Sequence, residues 1–213
     1  MRTIHKHSKA FTMIELVFVI VVLGILAALA LPRMDRDLRQ EAKDNILAAV
    51  RYTQHLALND NKTDPSDTEW QKELWQIRFS TSEVTNLSFF YTVSSDVDQD
   101  GSVDKNETAI DPANGKYLYN LGGDTDIDAD ESPNIFIGKR YGINNIDFGG
   151  GCNEVQHVGF DQFGRPHTEL GDASNNYSQY MTADCTIEFS FADASITPLT
   201  VTIATETGYA SAD

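Results

Sequence analysis

The chain has 213 residues, which is enough for one globular domain with an appendage but tight for two compact domains. It carries 16 Lys and Arg against 32 Asp and Glu, so its formal net charge at pH 7 is −16. Because an acidic surface repels nucleic acid, direct binding of DNA or RNA by the isolated chain is not expected.

The first thirty residues predict a membrane anchor. Residues 1–10, MRTIHKHSKA, are polar and basic and contain no acid. Residues 11–31, FTMIELVFVIVVLGILAALAL, are apolar with one charge, Glu15, and as a helix they span about 32 Å, the thickness of a bilayer core. An ordinary secretory signal is shorter and has its small residue after the apolar run, whereas Ala10 precedes this run. The basic end is expected in the cytoplasm and the acidic remainder across the membrane.

Glu15 is the most informative residue of this segment. A carboxylate inside a membrane costs a few kcal/mol and normally has a partner or a function. One interpretation is that Glu15 meets a partner within the membrane. The alternative is that it lies close enough to the headgroups for its carboxylate to reach them.

The segment KAFTMIELVFVIVVLGILAALALP, residues 9–32, resembles the class III signal of type IV prepilins and pseudopilins. This resemblance implies that a prepilin peptidase cuts between Ala10 and Phe11 and methylates the new amino terminus, although Ala10 stands where the family usually has glycine. It also implies that Glu15 neutralises the N-terminal ammonium of a neighbouring subunit. Pro32 matches the family's proline, which kinks or locally melts the helix.

Residues 32–58 continue as an amphipathic helix, with apolar or small side chains at helical spacing. The face predicted to pack on a sheet comprises Leu38, Ala42, Ile46, Ala49, Val50, Thr53, Leu56 and Ala57. The opposite face is charged, although Leu47 on it leaves room for contact with a neighbouring subunit. As one element the helix is predicted from Thr12 to Leu58, about 70 Å long, so its N-terminal half must protrude from the globular domain.

Residues 59–213 predict a β-rich globular domain. It begins with the polar, turn-rich segment NDNKTDPSD, which stops the helix. The strand candidates are residues 75–79, 87–93, 155–160, 186–191 and 199–205. Glycine and asparagine clusters separate them, which favours an antiparallel sheet. The predicted fold class is α+β: a long N-terminal helix, with its transmembrane half protruding, packs on an antiparallel β-sheet as in pilins.

The C-terminal part contains two cysteines, Cys152 and Cys185. If the domain is exported, they are expected to form a disulfide that stabilises it by about 2–4 kcal/mol; the alternative is two free buried thiols. The segments GFDQFGRP, residues 159–166, and ETGYA, residues 206–210, resemble the minor pseudopilin H and its pilus counterparts.

Residues 96–107, DVDQDGSVDKNE, match the twelve-residue calcium loop at every specified position. The predicted ligands are Asp96, Asp98, Asp100, the Ser102 carbonyl, Asp104 and Glu107. Gly101 permits the sharp turn. The flanking segments do not look like EF-hand helices, so a Ca²⁺-ordered loop within a β domain is expected. The alternative is an acidic, solvated loop.

A second acidic run contains Asp124, Asp126, Asp128 and Asp130 but lacks the glycine and the closing glutamate of a calcium loop. Three roles remain open for it: ligands for the first loop, a second weak ion site, or a solvent-exposed surface.

Enzymatic chemistry has little support in the sequence. His157 and His167 with Asp161 offer an acid/base group, and Cys152 with His157 offers a nucleophile pair, but no strand-turn-helix nucleophile signature surrounds them. Isolated histidines in loops are usually structural or exposed. Residues 149–151, GGG, lack the lysine of a phosphate-binding loop and are interpreted as a flexible turn.

Together these features predict a non-enzymatic minor pilin or pseudopilin, anchored in the bacterial inner membrane by one helix with its C-terminal domain in the periplasm. The resemblance implies three partners: other pilin or pseudopilin subunits, prepilin peptidase and the inner-membrane assembly platform. One alternative is a membrane-tethered, calcium-dependent adhesin or binding module that does not polymerise. Another is an anchored hydrolase.

Overall fold

The computed structural model describes residues 12–82, 88–123, 126–153, 156–171 and 180–213, without the side chains of residues 28–37 and 88. It contains two compact units, of which the first ends at Leu38 and the second comprises Arg39–Asp213. The chain is α+β, with an N-terminal helix and antiparallel strands, as the sequence predicts, but the strands form two sheets and not the single sheet that was expected.

The first helix, α1, comprises Met13–Asn59 and is continuous through Pro32. Its bounds differ by one residue at each end from those predicted. In the first unit, the large apolar side chains from Met13 to Leu26 are exposed. Within the part of the chain that the structure describes, no helix is both long enough and apolar enough to cross a membrane.

In the second unit, the C-terminal part of α1 buries one face. Six of the predicted residues are buried, namely Ala42, Ile46, Ala49, Val50, Thr53 and Ala57, whereas Leu38 and Leu56 are half-buried. Leu47 is also buried, with 8% of its surface exposed. The prediction that Leu47 lies on the solvated face was wrong, because the buried stripe of α1 is wider than the sequence pattern indicates.

Within the described ranges, eight strands form two antiparallel sheets of four strands each. The first sheet has the order β2-β1-β4-β5, with β1 at Trp75–Ser82, β2 at Ser88–Ser94, β4 at His157–Phe160 and β5 at Pro166–His167. The second has the order β3-β6-β7-β8, with β3 at Ile143–Gly150, β6 at Cys185–Phe191, β7 at Leu199–Ile203 and β8 at Ala210–Ala212. A short helix, α2, at Ile137–Tyr141 precedes β3.

The five strands expected from the sequence all form, but β3, β5 and β8 were not predicted. Gly149 and Gly150 lie in β3, so their interpretation as a flexible turn was wrong. A Cβ at Gly150 would overlap the Asp184 carbonyl, and one at Gly151 the Ala183 carbonyl. These glycines therefore permit a close approach of β3 to the chain that enters β6.

The two sheets meet at a cluster of aromatic rings. The Phe79 ring of β1 packs edge-on against two rings of the second sheet, with centroids 6.1 Å from Phe148 and 5.4 Å from Phe189. In β6, buried residues alternate with more exposed ones, the pattern of a sheet with one face on the core. These ring contacts join the two sheets in the second unit, and α1 adds its buried face to the same unit's core.

Candidate functional site

The predicted calcium loop leaves β2 and ends in a single 3₁₀ turn at Lys105–Glu107. A strand precedes the loop, so it has no EF-hand helix on its upstream side. Two residues of the loop adopt positive φ, Gln99 at 60° and Gly101 at 87°. The backbone therefore turns sharply at Gly101, as the motif requires.

Three of the predicted ligands lie together in this loop. Oxygen atoms of Asp96, Asp98 and Glu107, one from each residue, lie within 4.8 Å of one another. Asp96 and Glu107 are buried and Asp98 is exposed. Three carboxylates at this separation are the hard oxygen ligands that Ca²⁺ prefers.

Glu107 holds the two ends of the loop together through both carboxylate oxygens. Its Oε1 accepts hydrogen bonds from the backbone N–H groups of Val97 at 2.8 Å and Asp98 at 3.2 Å. Its Oε2 accepts from the N–H of Asp104 at 3.0 Å. The glutamate expected to close an ion site therefore already organises the backbone around it.

The two carboxylate oxygens of Asp96 differ in their contacts. Oδ2 accepts a hydrogen bond from the Gly101 N–H at 3.0 Å, whereas Oδ1 is buried and has no hydrogen-bond partner among the described residues. Burial raises the pKa of Asp96, and the nearby carboxylates of Glu107, Asp100 and Asp98 raise it further. An orphaned buried oxygen beside two more carboxylates fits a cation, so these residues suit Ca²⁺.

The other predicted ligands make local contacts instead. Asp100 is exposed, and its Oδ1 accepts a hydrogen bond from the Ser102 N–H at 2.7 Å. Asp104 is also exposed and precedes the 3₁₀ turn. Neither carboxylate belongs to the group of three, so the sequence pattern alone does not show which acids converge.

Part of the second acidic run contacts the calcium loop through a lysine. Lys105 Nζ lies 2.6 Å from Asp128 Oδ2 and 3.0 Å from Asp130 Oδ1. The hydrogen bond with Asp128 is the largest contribution that raises the pKa of Lys105. Asp126 is exposed, and Asp124 lies outside the described residues. An ammonium group thus occupies the position that a second ion would need beside Asp128 and Asp130.

Cys152 and Cys185 form a disulfide, with their Cα atoms 5.0 Å apart. It joins the residues after β3 to the start of β6, beside the strand pair Gly150 and Cys185. The alternative of free thiols was wrong. The proposed pairing of Cys152 with His157 as a nucleophile also fails, because a disulfide sulfur has no thiolate to attack with.

The histidines occupy separate structural positions. His167 Nε2 lies 3.2 Å from Asp161 Oδ2, and both residues are buried. His157 Nε2 instead contacts the Thr168 carbonyl at 2.6 Å, and burial lowers its pKa, as does the charge of Arg78. Arg165 also bonds Asp161, through Nε at 2.8 Å, so the Asp161 carboxylate holds the β4–β5 turn together.

The segments 159–166 and 206–210 both contact α1, and this contact was not predicted from the sequence. The Gln54 side-chain amide donates to the carbonyls of Gly164 at 2.9 Å and Thr207 at 2.8 Å. Gly164 and Gly208 both have positive φ, 77° and 62°. Gly164 and Gly208 are the sequence signal for this close approach to α1, because glycine has no Cβ and adopts positive φ readily.

At the N-terminus, Glu15 has a local partner. Its Oε2 accepts hydrogen bonds from the backbone N–H and the hydroxyl of Thr12, both at 3.3 Å, and the Glu15 N–H donates to the Thr12 hydroxyl at 3.3 Å. This reciprocal arrangement is a capping box, which the sequence analysis overlooked. Ala10 and Phe11 lie outside the described residues.

Comparison with known families returns one motif. Residues 5–31 match the family model of the prokaryotic N-terminal methylation motif, a range that includes Ala10, Phe11 and Glu15. Comparison with curated proteins and with solved structures gives no match to this chain. The chain therefore carries an N-terminal prepilin leader of the kind found in type IV pilins and pseudopilins.

Proposed function

We propose that this chain is a minor pilin or pseudopilin, a non-enzymatic structural subunit of a type IV pilus or type II secretion pseudopilus. The observation that carries the proposal is the match of residues 5–31 to the methylation motif. Prepilin peptidase removes residues 1–10 and methylates Phe11. The mature chain then assembles with other pilin or pseudopilin subunits on the inner-membrane platform.

Residues 11–31 anchor the subunit in the bacterial inner membrane as a single span, with the C-terminal domain in the periplasm. The support is the sequence itself, a run of 21 residues in which Glu15 is the one charge. The disulfide between Cys152 and Cys185 agrees with an oxidising compartment for the folded domain.

Calcium orders the loop of residues 96–107 in this proposal. The support is the close group of Asp96, Asp98 and Glu107 together with the unpartnered Asp96 oxygen. When bound, the ion neutralises carboxylates that otherwise repel one another. The loop follows β2, and the residues after the loop pair back onto β2: the Ala109 N–H donates to the Val93 carbonyl at 2.8 Å. Ordering the loop therefore stabilises the edge of the first sheet.

A second candidate function is a membrane-tethered, calcium-dependent adhesin or binding module that does not polymerise. The same acidic loop favours it, because an ion site on a displayed domain suits ligand binding as well as stability. The two functions differ in the fate of the leader. A tethered module keeps residues 1–10, whereas a pilin subunit loses them.

The mass of the mature N-terminus separates the two functions. The full chain is expressed in a host that has prepilin peptidase, purified from membranes, and its N-terminal peptide is measured by mass spectrometry. The proposal expects a chain that begins at methylated Phe11. Ala10→Leu, which puts a bulky side chain before the cut, is expected to remain uncut. A wild-type chain that begins at Met1 would overturn the pilin proposal and favour the tethered module.

A further inference from the structure

The ammonium of Lys105 lies among three carboxylates and an aromatic ring. Its Nζ is 2.6 Å from Asp128 Oδ2, 3.0 Å from Asp130 Oδ1 and 3.6 Å from Glu131 Oε1. The centroid of the Tyr119 ring is 5.9 Å from the same nitrogen. Carboxylates and the faces of aromatic rings are the groups that proteins use to surround a positive charge, so this is the environment of a bound cation.

Glu131 is the buried member of this group. Its side chain is 1% exposed, whereas those of Asp128 and Asp130 are 61% and 54% exposed. Its Oε2 accepts hydrogen bonds from Asn120 Nδ2 at 3.2 Å and from the Asp128 N–H at 3.3 Å. Its Oε1 is buried and has no hydrogen-bond partner among the described residues. A buried carboxylate needs a positive charge beside it, and Lys105 supplies that charge.

The unpartnered Oε1 of Glu131 distinguishes this group from a solvated acidic surface. At 3.6 Å the ammonium is too far away to form a hydrogen bond with that oxygen, so it balances the charge without satisfying the atom. Ca²⁺ binds carboxylate oxygens directly, at about 2.3–2.6 Å. A calcium ion therefore requires the carboxylates to move inward, which Asp128 and Asp130 are able to do because more than half of each side chain is exposed.

Lys105 reaches this group from the loop of residues 96–107. It is the first residue of the 3₁₀ turn in which that loop ends. Its ammonium does for the second acidic run what an ion would do, because it reduces the repulsion between neighbouring carboxylates. Unlike an ion, it is covalently attached to the chain, so a chelator does not remove it. The second acidic run is therefore held by a charge that does not depend on the calcium concentration.

We propose that Asp128, Asp130 and Glu131 form a second cation site whose resident cation is the ammonium of Lys105. The wild-type chain takes up no calcium at this site, and a calcium ion enters when the ammonium is removed. The carboxylates of this site are distinct from the group of three in the loop, so the inference does not depend on whether the loop binds calcium.

Equilibrium dialysis with radioactive calcium counts the ions bound to the full chain in detergent micelles. The measurement compares the wild type with Lys105→Met, which removes the charge and keeps an unbranched side chain. We expect Lys105→Met to bind one calcium ion more than the wild type. Adding Glu131→Gln to Lys105→Met is expected to weaken binding of this extra ion by about tenfold or more, because an amide replaces a charged ligand.

Two variants serve as controls. Lys105→Arg keeps the positive charge and is expected to bind as many calcium ions as the wild type. Lys139→Met removes a charge from an exposed lysine on α2, and it is also expected to leave the count unchanged. An extra ion in Lys139→Met would mean that calcium follows the net charge of the chain, which would overturn a local site.

The count also separates this inference from calcium binding by the loop. If the wild type binds no ion and Lys105→Met binds one, the loop proposal fails and the second site stands. A wild-type chain that binds two ions, or a Lys105→Met chain that gains none, would overturn the inference. A Lys105→Met chain that stays unfolded in millimolar calcium would overturn it as well, because the ion would then be unable to replace the ammonium.

Discussion

Asp161 joins the β4–β5 turn into one hydrogen-bonded unit. Its Oδ1 accepts from the N–H groups of Phe163 and Arg165, both at 2.9 Å, and its Oδ2 accepts from the Arg165 side chain. Burial by itself would raise the pKa of this carboxyl, but the bonds from His167, Arg165 and Phe163 outweigh it and lower the pKa to about 2. The folded state therefore favours the ionised form.

This pKa predicts a dependence of stability on acid. The unfolded carboxyl takes up its proton near pH 4 and the folded one near pH 2, so the stabilisation is complete above pH 4 and is lost as the pH falls toward 2. We expect Asp161→Asn to lower the free energy of unfolding by about 1–2 kcal/mol at pH 7 and by less at pH 2. Urea unfolding at several pH values measures this.

Asp147→Asn is the control for this acid dependence, because Asp147 is exposed on β3. It is expected to leave the difference in stability between pH 7 and pH 2 as in the wild type. If Asp161→Asn lowers the free energy of unfolding by the same amount at pH 7 and at pH 2, protonation of the Asp161 carboxylate is not the cause of the acid dependence.

At the scale of elements, α1 is joined to two turns of the C-terminal part. Gln54 bonds the carbonyls of Gly164 and Thr207, and a Cβ at Gly208 would overlap the Gly164 carbonyl oxygen. The positive φ of Gly208 adds a backbone cost for any other residue. The contact of these two turns with α1 therefore requires glycine at position 208.

Gly208→Ala is therefore expected to destabilise the domain by about 2 kcal/mol or more, from the left-handed backbone and the overlap. Thermal unfolding by circular dichroism measures the loss. Gly123→Ala is the matched control, because no atom lies within 4 Å of a Cβ there and its φ is not positive. A similar melting temperature for the two variants would contradict the close approach of the turns.

The stability of the loop of residues 96–107 is predicted to depend on calcium. At a calcium concentration 100 times the Kd, binding is worth about 2.7 kcal/mol, which raises the melting temperature by about 5–10 °C for a domain of this size. Chelation with EDTA is expected to remove this increase. Asp98→Asn is expected to reduce it by at least half, since Asp98 belongs to the group of three carboxylates.

Asp130→Asn is the matched control for the loop, because this exposed acid pairs with Lys105 outside that group. It is expected to keep the full response to calcium. If calcium leaves the wild-type melting temperature unchanged, the loop is an acidic, solvated turn that Glu107 organises without an ion.

At the scale of the whole molecule, the chain combines an acidic domain with an apolar helix end. The side chains from Met13 to Leu26 are exposed, and an apolar surface of that extent marks a membrane or a partner. Glu15 lies within it and has only Thr12 as a hydrogen-bond partner among the described residues. A neighbouring amino terminus would supply the positive charge that Thr12 lacks.

If Glu15 pairs with the amino terminus of a neighbouring subunit, Glu15→Ala is expected to enter the membrane normally but to be depleted at least tenfold from filaments, because that pair is lost. Immunoblots of sheared filaments and of membranes from a host with the partner subunits give the ratio. Thr12→Val is the control, since it removes the local hydroxyl partner and keeps the carboxylate. Equal depletion in both variants would mean that Glu15 acts as a helix cap and not through a neighbouring subunit.

Features that contiguous residues encode could be predicted from the amino-acid sequence. The methylation motif, the long N-terminal helix and the glycine turn of the calcium loop all follow from local spacing, and five strands follow from local alternation. These signals are readable because hydrogen bonds within a helix or a loop join residues that are near in sequence.

The remaining features depend on long-range contacts, because each of them brings together residues that are far apart in the chain. The strand β3, INNIDFGG, lacks a strong pattern and forms through its pairing with β6 beside the disulfide. Convergence of Asp96, Asp98 and Glu107 without Asp100 depends on how the loop backbone folds. A cavity lined by Gln76, Arg78 and His157 lies where β1 and β4 meet the calcium loop, and no local pattern in these segments predicts it.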